Sequence, residues 1–306
     1  MKQPINTTMS ASQWGELFLL SLLWGATYLY VAVALREVDP FTIALCRVGF
    51  AAVFLFGVLA VMRLAVPATA RAWAAFAGMG TLNNVIPFMA IFWGQKEVAS
   101  GLTSILIATT PLFTALFAHF MTDDEKLSVN KLAGIGIGFL GVVVLLGPVA
   151  GAGGAGIVSH LAIIAGAMSY GLGGIFGRRF APRGYPPLVL TTGQLTMSTL
   201  ILGAISFAFG NPLALASASL TTWGVLLAIS IPATALAYLL YFRVLTKAGA
   251  TNIMLVTLLM PVTAILLGAI VLDERLAWTH FACMALIAAG LAAIDGRLLR
   301  RMRAAT

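Results

Sequence analysis

Charge is scarce in this sequence: 9 % of 306 residues are Asp, Glu, Lys or Arg, against roughly 25 % in an ordinary soluble domain. A water-soluble globule of this length needs far more polar surface, so soluble enzymes and nucleic-acid-binding modules are excluded early. Cysteine is nearly absent. Cys46 and Cys283 lie in apolar runs without a CxxC, which argues against a disulfide framework or a metal site. The three histidines, His119, His160 and His280, fall near the ends of apolar runs. All ten acids (Glu16, Glu37, Asp39, Glu97, Asp123, Asp124, Glu125, Asp273, Glu274 and Asp295) also fall at such ends or between runs. No Ser-His-Asp, His-Glu or paired-carboxylate set shares one depth. An enzyme is therefore not expected, nor a catalytic residue, cofactor or metal. A proton-coupled carrier normally places a titratable group in its pathway, so movement down a gradient fits better than carboxylate-driven antiport.

What the chain has is apolar length. Sixty per cent of its residues are hydrophobic, and 31 more are glycine. That suffices for ten spans of about 20 residues each. The runs between breaks lie near 14–34, 41–62, 72–94, 100–121, 131–147, 157–177, 188–209, 222–242, 250–272 and 278–295. Ala32-Val33-Ala34 imitates a signal-peptidase site, but the run before it is long for a signal core. With the N-terminus inside, fourteen Lys and Arg fall on the cytoplasmic side. Only Arg36, Lys96 and Arg275 fall outside, and Arg47 lies within a span. This positive-inside bias puts both termini in the cytoplasm.

The halves echo each other at a separation of about 145–150 residues. Trp24-Gly25 matches Tyr170-Gly171, and Pro40 with Arg47 matches Pro187 with Gln194. Ile86-Pro87 matches Ile231-Pro232, and Pro111 matches Pro261. Asp124-Glu125-Lys126-Leu127 matches Asp273-Glu274-Arg275-Leu276, and a glycine, Gly141 or Gly290, stands sixteen residues past each Glu. Repeats of five helices must enter the bilayer from opposite sides, the architecture that lets one central site face either way. The expected fold is thus all-α and polytopic: ten transmembrane helices in a 5+5 inverted repeat around a central cavity, with repeats at 1–150 and 151–306.

Pro87, Pro111, Pro232 and Pro261 sit near the centres of spans 3, 4, 8 and 9, where each kinks its helix and frees a carbonyl. Such carbonyls face protein or a watery cavity; the alternative is that membrane helices simply tolerate proline. Trp24 and Tyr28 lie one turn apart, and Tyr170 and Tyr238 lie deep in spans 6 and 8. Buried indoles and phenols need hydrogen-bond partners, from a ligand or from neighbouring helices. Asn83, Asn84, Thr110, Ser169, Thr234 and Thr257 complete the polar midplane set, as cavity lining or as interhelical glue. Arg47, six residues into span 2, either caps carbonyls structurally or serves a substrate carboxylate or gate. Gly136 to Gly141 spells G-x-G-x-x-G, but inside an apolar helix rather than after a strand, so no dinucleotide is implied.

Trp24-Gly25, Pro40 to Arg47, and the two segments running from Pro111 to Gly141 and from Pro261 to Gly290 resemble the ten-helix EamA branch of the drug/metabolite transporter superfamily, over essentially the whole chain. The resemblance implies an inner-membrane carrier with a cavity lined by helices 1, 3, 4, 6, 8 and 9, exporting amino acids or related metabolites. Small multidrug relatives carry a Glu at the centre of the first helix. Here the centre reads Leu23-Trp24-Gly25 and Glu16 lies at the edge, which puts proton antiport in doubt. The stacking surfaces of Trp24, Tyr28, Tyr170 and Tyr238 favour aromatic or large neutral amino acids. Broad drug or metabolite export, with or without proton coupling, is one alternative, and a non-transporting membrane enzyme or assembly partner is another. The expected partners are a small-molecule substrate and the lipid bilayer, without nucleic acid, in a monomer or weak dimer.

Overall fold

The computed structural model describes residues 9–123, 125–151, 156–178, 180, 184–248, 253, 255–275 and 277–295. Asp124 and Leu276 of the repeated acidic–basic corner lie outside them, as do Lys2, Arg179, Arg183, Arg297, Arg300, Arg301 and Arg303. The described chain is helical throughout: α1 (Ala11–Ala34), α2 (Pro40–Val61), α3 (Ala70–Gly94), α4 (Ser100–Met121), α5 (Val129–Gly151), α6 (Ile157–Gly177), α7 (Pro187–Phe209), α8 (Leu220–Leu245), α9 (Val256–Leu272) and α10 (Trp278–Asp295). The first eight are long and apolar enough to cross a membrane, and α9 and α10 are shorter apolar helices.

Helix starts follow local chemistry. Ser10 and Gln13 form a capping box on α1. Asp39 accepts from the Phe41 and Thr42 amides at 3.0 and 3.1 Å, with Pro40 pre-set for the first turn of α2. Thr69 and Ser219 cap α3 and α8 in the same way.

The packing is that of an inverted repeat. The pairs α2–α7 and α5–α10 join each helix to its own repeat mate, and α1–α9 is answered by α6–α4. The contacts α3–α6 and α3–α7 are likewise answered by α8–α1 and α8–α2. Each of these contacts thus recurs with the halves exchanged, as a quasi-two-fold axis in the membrane plane requires. Apolar burial does not drive helices together in lipid, so close backbone approach must. A Cβ on Gly134 would lie 2.5 Å from the Gly290 carbonyl oxygen, and one on Gly290 equally close to that of Gly134. The matched Gly25 and Gly171 do the same work, admitting Thr263 of α9 to α1 and Thr114 of α4 to α6.

The matched prolines alter the helices that carry them. α3 widens to a π turn at Thr81–Val85, just before Pro87, and α8 does so at Ile231–Leu236, around Pro232. α4 is interrupted between Ser100–Ile107 and Thr110–Met121, just before Pro111. There the hydroxyls of Thr109 and Thr110 donate to the carbonyls of Leu106 (2.5 Å) and Ile107 (2.8 Å). Pro261 lies inside α9.

The two ends of the bundle differ. At the far face, where α1 turns into α2, carboxylates tie neighbouring helix ends together. Glu274 accepts from Ser100 N (2.7 Å), Gly101 N (3.0 Å) and Ser100 Oγ (2.9 Å), capping α4. Glu37 accepts from Ser219 N and Oγ, both at 2.7 Å, and Glu97 from Ser159 Oγ at 2.6 Å. The Ser219 bonds hold the Glu37 carboxyl below its usual range. Asp39 is pushed up by burial, but bonds from Thr42, the Asn211 amide and the Phe41 amide outweigh that and hold it down. At the terminal face, where α1 begins, Glu16 meets Arg243 (2.9 Å) and Lys247 (3.5 Å), and Glu125 pairs with Arg178. The matched acids Glu125 and Glu274 therefore make different contacts at their two ends.

Candidate substrate site

Arg47 sits on α2, eight residues into the helix and 8 % exposed. Its Nε donates to Thr234 Oγ1 at 3.0 Å, and Cζ lies 4.1 Å from the centre of the Phe88 ring. Phe88 in turn stacks on Phe92. The π turn of α8 explains the Thr234 contact: the widened helix lets Thr234 donate to the Ile229 carbonyl five residues back (2.8 Å) while its oxygen accepts from Arg47. Tyr28, Tyr170 and Tyr238 lie within electrostatic reach of the guanidinium, and Gln194 lies beside Tyr238. Among the described residues no carboxylate forms an ion pair with Arg47.

A second polar cluster adjoins the first. Asn84, fully buried in the π turn of α3, donates from Nδ2 to Ser198 Oγ at 3.0 Å. Ser198 Oγ donates to the Gln194 carbonyl at 2.7 Å. Gln194 stands beside Tyr238, which is one turn from Thr234. The Ser169 hydroxyl reaches across from α6 to the Leu82 carbonyl at 2.8 Å, again inside the π turn.

Leu82 also forms the inner wall of a cavity of about 440 Å³, with Leu172, Ile175, Phe176, Met121, Thr122 and Arg178 as its other lining. That volume is within the range of small-molecule sites. The cavity lies among α3, α4 and α6, and Met121, Thr122 and Arg178 mark its mouth at the terminal face.

The residues singled out in the sequence thus divide. Arg47, Tyr28, Tyr170, Thr234 and Tyr238 converge on one layer; Asn84 and Ser169 stand beside it. Trp24 is elsewhere: its ring lies 5.6 Å from that of Tyr241, among the apolar side chains of α8 and α9. The Asn83 side chain lies against Gly173 of α6. Thr110 serves its own helix, and Thr257 is half-buried in the first turn of α9. Pro87, Pro111, Pro232 and Pro261 act through the helix geometry already described. Sequence reasoning did not select Phe88, Gln194 or Ser198 as site residues, and the resemblance leaves α2 and α7 out of the lining. Phe88 stands four residues after Asn84, and Ser198 four after Gln194. That spacing is the signal that could have found them.

Relatives match most of the chain. A crystal structure superposes with a TM-score of 0.65 at 21 % identity, over 96 % of this chain and all of the other; it shows the fold. The probable amino-acid metabolite efflux pump of Escherichia coli is 25 % identical over 286 residues, covering 89 % of this chain and 91 % of that one. The uncharacterized transporter YoaV of Bacillus subtilis is 25 % identical over 260 residues, 84 % of this chain and 87 % of its own. Protein PecM of Dickeya dadantii is 27 % identical over 261 residues, 85 % of this chain and 84 % of its own. The EamA-like transporter model matches twice, at residues 13–147 and 157–294, once per set of five helices. With the fold, both copies and the relatives in agreement, the chain belongs to the EamA-like transporter family.

Proposed function

We propose that the protein exports small carboxylate-bearing metabolites, aromatic or large neutral amino acids among them, by alternating access across the bacterial inner membrane. The observation that carries this is Arg47: a cation buried in a membrane bundle, ringed by phenols and a phenyl face, and paired with no described carboxylate. Desolvating such a charge is costly, and intramembrane cations mark substrate pathways. A substrate carboxylate supplies the missing counter-charge, bidentate on the guanidinium, while Tyr28, Tyr170 and Tyr238 offer donors and ring surface to the rest of the molecule. The name of the Escherichia coli relative supports the same substrate class. The positive-inside bias turns the terminal face, and with it the mouth of the cavity, toward the cytoplasm. An exporter loads from that side. Transport is facilitative in this reading, because the residues brought to the Arg47 layer include no carboxylate or histidine.

Counterflow in proteoliposomes loaded with a panel of amino acids, with and without a pH gradient, tests the proposal. Saturable uptake of labelled phenylalanine is expected, insensitive to the gradient and reduced at least tenfold by Arg47→Gln. No saturable flux for any amino acid, or full flux in Arg47→Gln, would refute it. A broader export of apolar metabolites draws on the largely apolar cavity lining; competition by cationic drugs would favour that second reading.

A further inference from the structure

Asn84 is fully buried, and its Oδ1 has no hydrogen-bond partner among the described residues. The orientation of its amide follows from the chemistry around it. Ser198 commits its single hydroxyl hydrogen to the Gln194 carbonyl, so its oxygen can only accept from Asn84. The amide must therefore present its NH2 to Ser198, which leaves Oδ1 as the free end. Water in a bilayer core is scarce, and an orphaned buried acceptor costs on the order of 1–3 kcal/mol.

The free oxygen stands near the unpaired cation. Asn84 lies in the π turn of α3, and Phe88 stands four residues on, in the α-helical turn that follows. Arg47 Cζ is 4.1 Å from the Phe88 ring centre. Phe88 thus links the turn that carries the free acceptor to the guanidinium. An α-amino acid carries both groups that such a pair would bind, a carboxylate for the guanidinium and an ammonium donor for the acceptor.

We infer that Arg47 and Asn84 are the two poles of a zwitterion site: the guanidinium takes the substrate carboxylate, and Asn84 Oδ1 accepts from its α-ammonium group. This rests on the carboxylate reading of Arg47 proposed above and deepens it. The carboxylate supplies affinity, and Asn84 makes the carrier select α-amino acids over carboxylates or amines alone. An acceptor fixed by a buried serine discriminates strongly, because a ligand without the ammonium leaves it orphaned.

The test is competition against labelled phenylalanine in proteoliposomes by unlabelled phenylalanine, 3-phenylpropanoate and phenethylamine. In the native protein phenylalanine is expected to compete best. Asn84→Leu keeps the branched shape, is larger, and removes both the acceptor and the Nδ2 donor to Ser198. Its apparent affinity for phenylalanine is expected to fall about tenfold or more, while that for 3-phenylpropanoate stays within about twofold. Asn84→Asp restores an acceptor and adds charge, so phenylalanine should recover and phenethylamine should begin to compete. Equal losses for phenylalanine and 3-phenylpropanoate in Asn84→Leu, or no difference between the Leu and Asp variants, overturn the inference. Either result would assign the oxygen to a fixed water or to packing. Failure of the carboxylate reading of Arg47 looks different: Arg47→Gln would then leave competition by 3-phenylpropanoate unchanged, whatever Asn84 does.

Discussion

Removing the charge of Glu274 should open the far face. Its carboxylate holds three donors at the start of α4: two backbone amides and the Ser100 hydroxyl. In Glu274→Gln one oxygen becomes an NH2 group that must face a donor, so at least one of these bonds is lost and the helix dipole loses its counter-charge. A hydrogen bond of this kind contributes about 1 kcal/mol net, and the dipole interaction about 0.3–1 kcal/mol. With the N–H left unsatisfied, the total is about 2 kcal/mol, which is roughly a thirtyfold shift toward the open far face at 1.4 kcal/mol per tenfold. The readout is labelling of Thr103→Cys by a membrane-impermeant maleimide. Thr103 is fully buried in the first helical piece of α4, and the native Cys46 and Cys283 are also buried. Labelling from the far side should accelerate about thirtyfold in the Gln variant, and a thiol placed at Met121, at the opposite mouth, should react more slowly. If thermal stability fell while both rates stayed constant, Glu274 would be a structural cap with no part in gating.

Other outcomes follow from the packing and the caps. Gly134→Leu forces a side chain into the Gly290 backbone and should sharply lower the yield of folded protein on size exclusion in detergent, whereas Gly136→Leu, with open space around it, should not. Asp39→Asn removes the charge and turns one acceptor oxygen into an NH2 group, so the bonds from Thr42 Oγ1 and the Asn211 amide suffer; it should cost about 1 kcal/mol near neutral pH, read as a lowered Tm. Because Asp39 is held below its usual value in the folded chain, its stabilisation is complete above the ordinary carboxylate range and fades only as pH falls through the depressed one. The Asn variant should therefore show a flatter loss of Tm below about pH 4. Trp24→Leu should leave substrate selectivity intact, because the indole packs on Tyr241 away from the Arg47 layer; a changed competition order would place it in the pathway.

Much of the bundle was legible in the sequence because lipid imposes simple rules. Apolar length sets the spans, and an odd number of helices per repeat inverts the second copy. The midplane was legible in kind but not in grouping. Trp24 and Tyr28 share a helix face by spacing, yet the close approach of α1 to α9 at Gly25 sends the indole toward Tyr241 while Tyr28 stays with Arg47. The π turns were hidden for a related reason. Proline announces a lost hydrogen bond, but whether the helix bends or widens depends on its neighbours. The widened turns at Thr81–Val85 and Ile231–Leu236 are what bring Asn84 to Ser198 and Thr234 to Arg47. Gln194 read as a mere echo of Arg47; only the folded chain brings it beside Tyr238.

The pairing of α2 with α7 and of α5 with α10 carries a consequence for assembly. Each half presents to the other the same stretch of helix that it receives, so the seam is self-complementary in the manner of a two-fold dimer. Nothing in such a seam depends on a covalent tether. Expressed as two separate polypeptides, one ending near residue 151 and one beginning near residue 156, the halves should find each other in the bilayer as antiparallel mates.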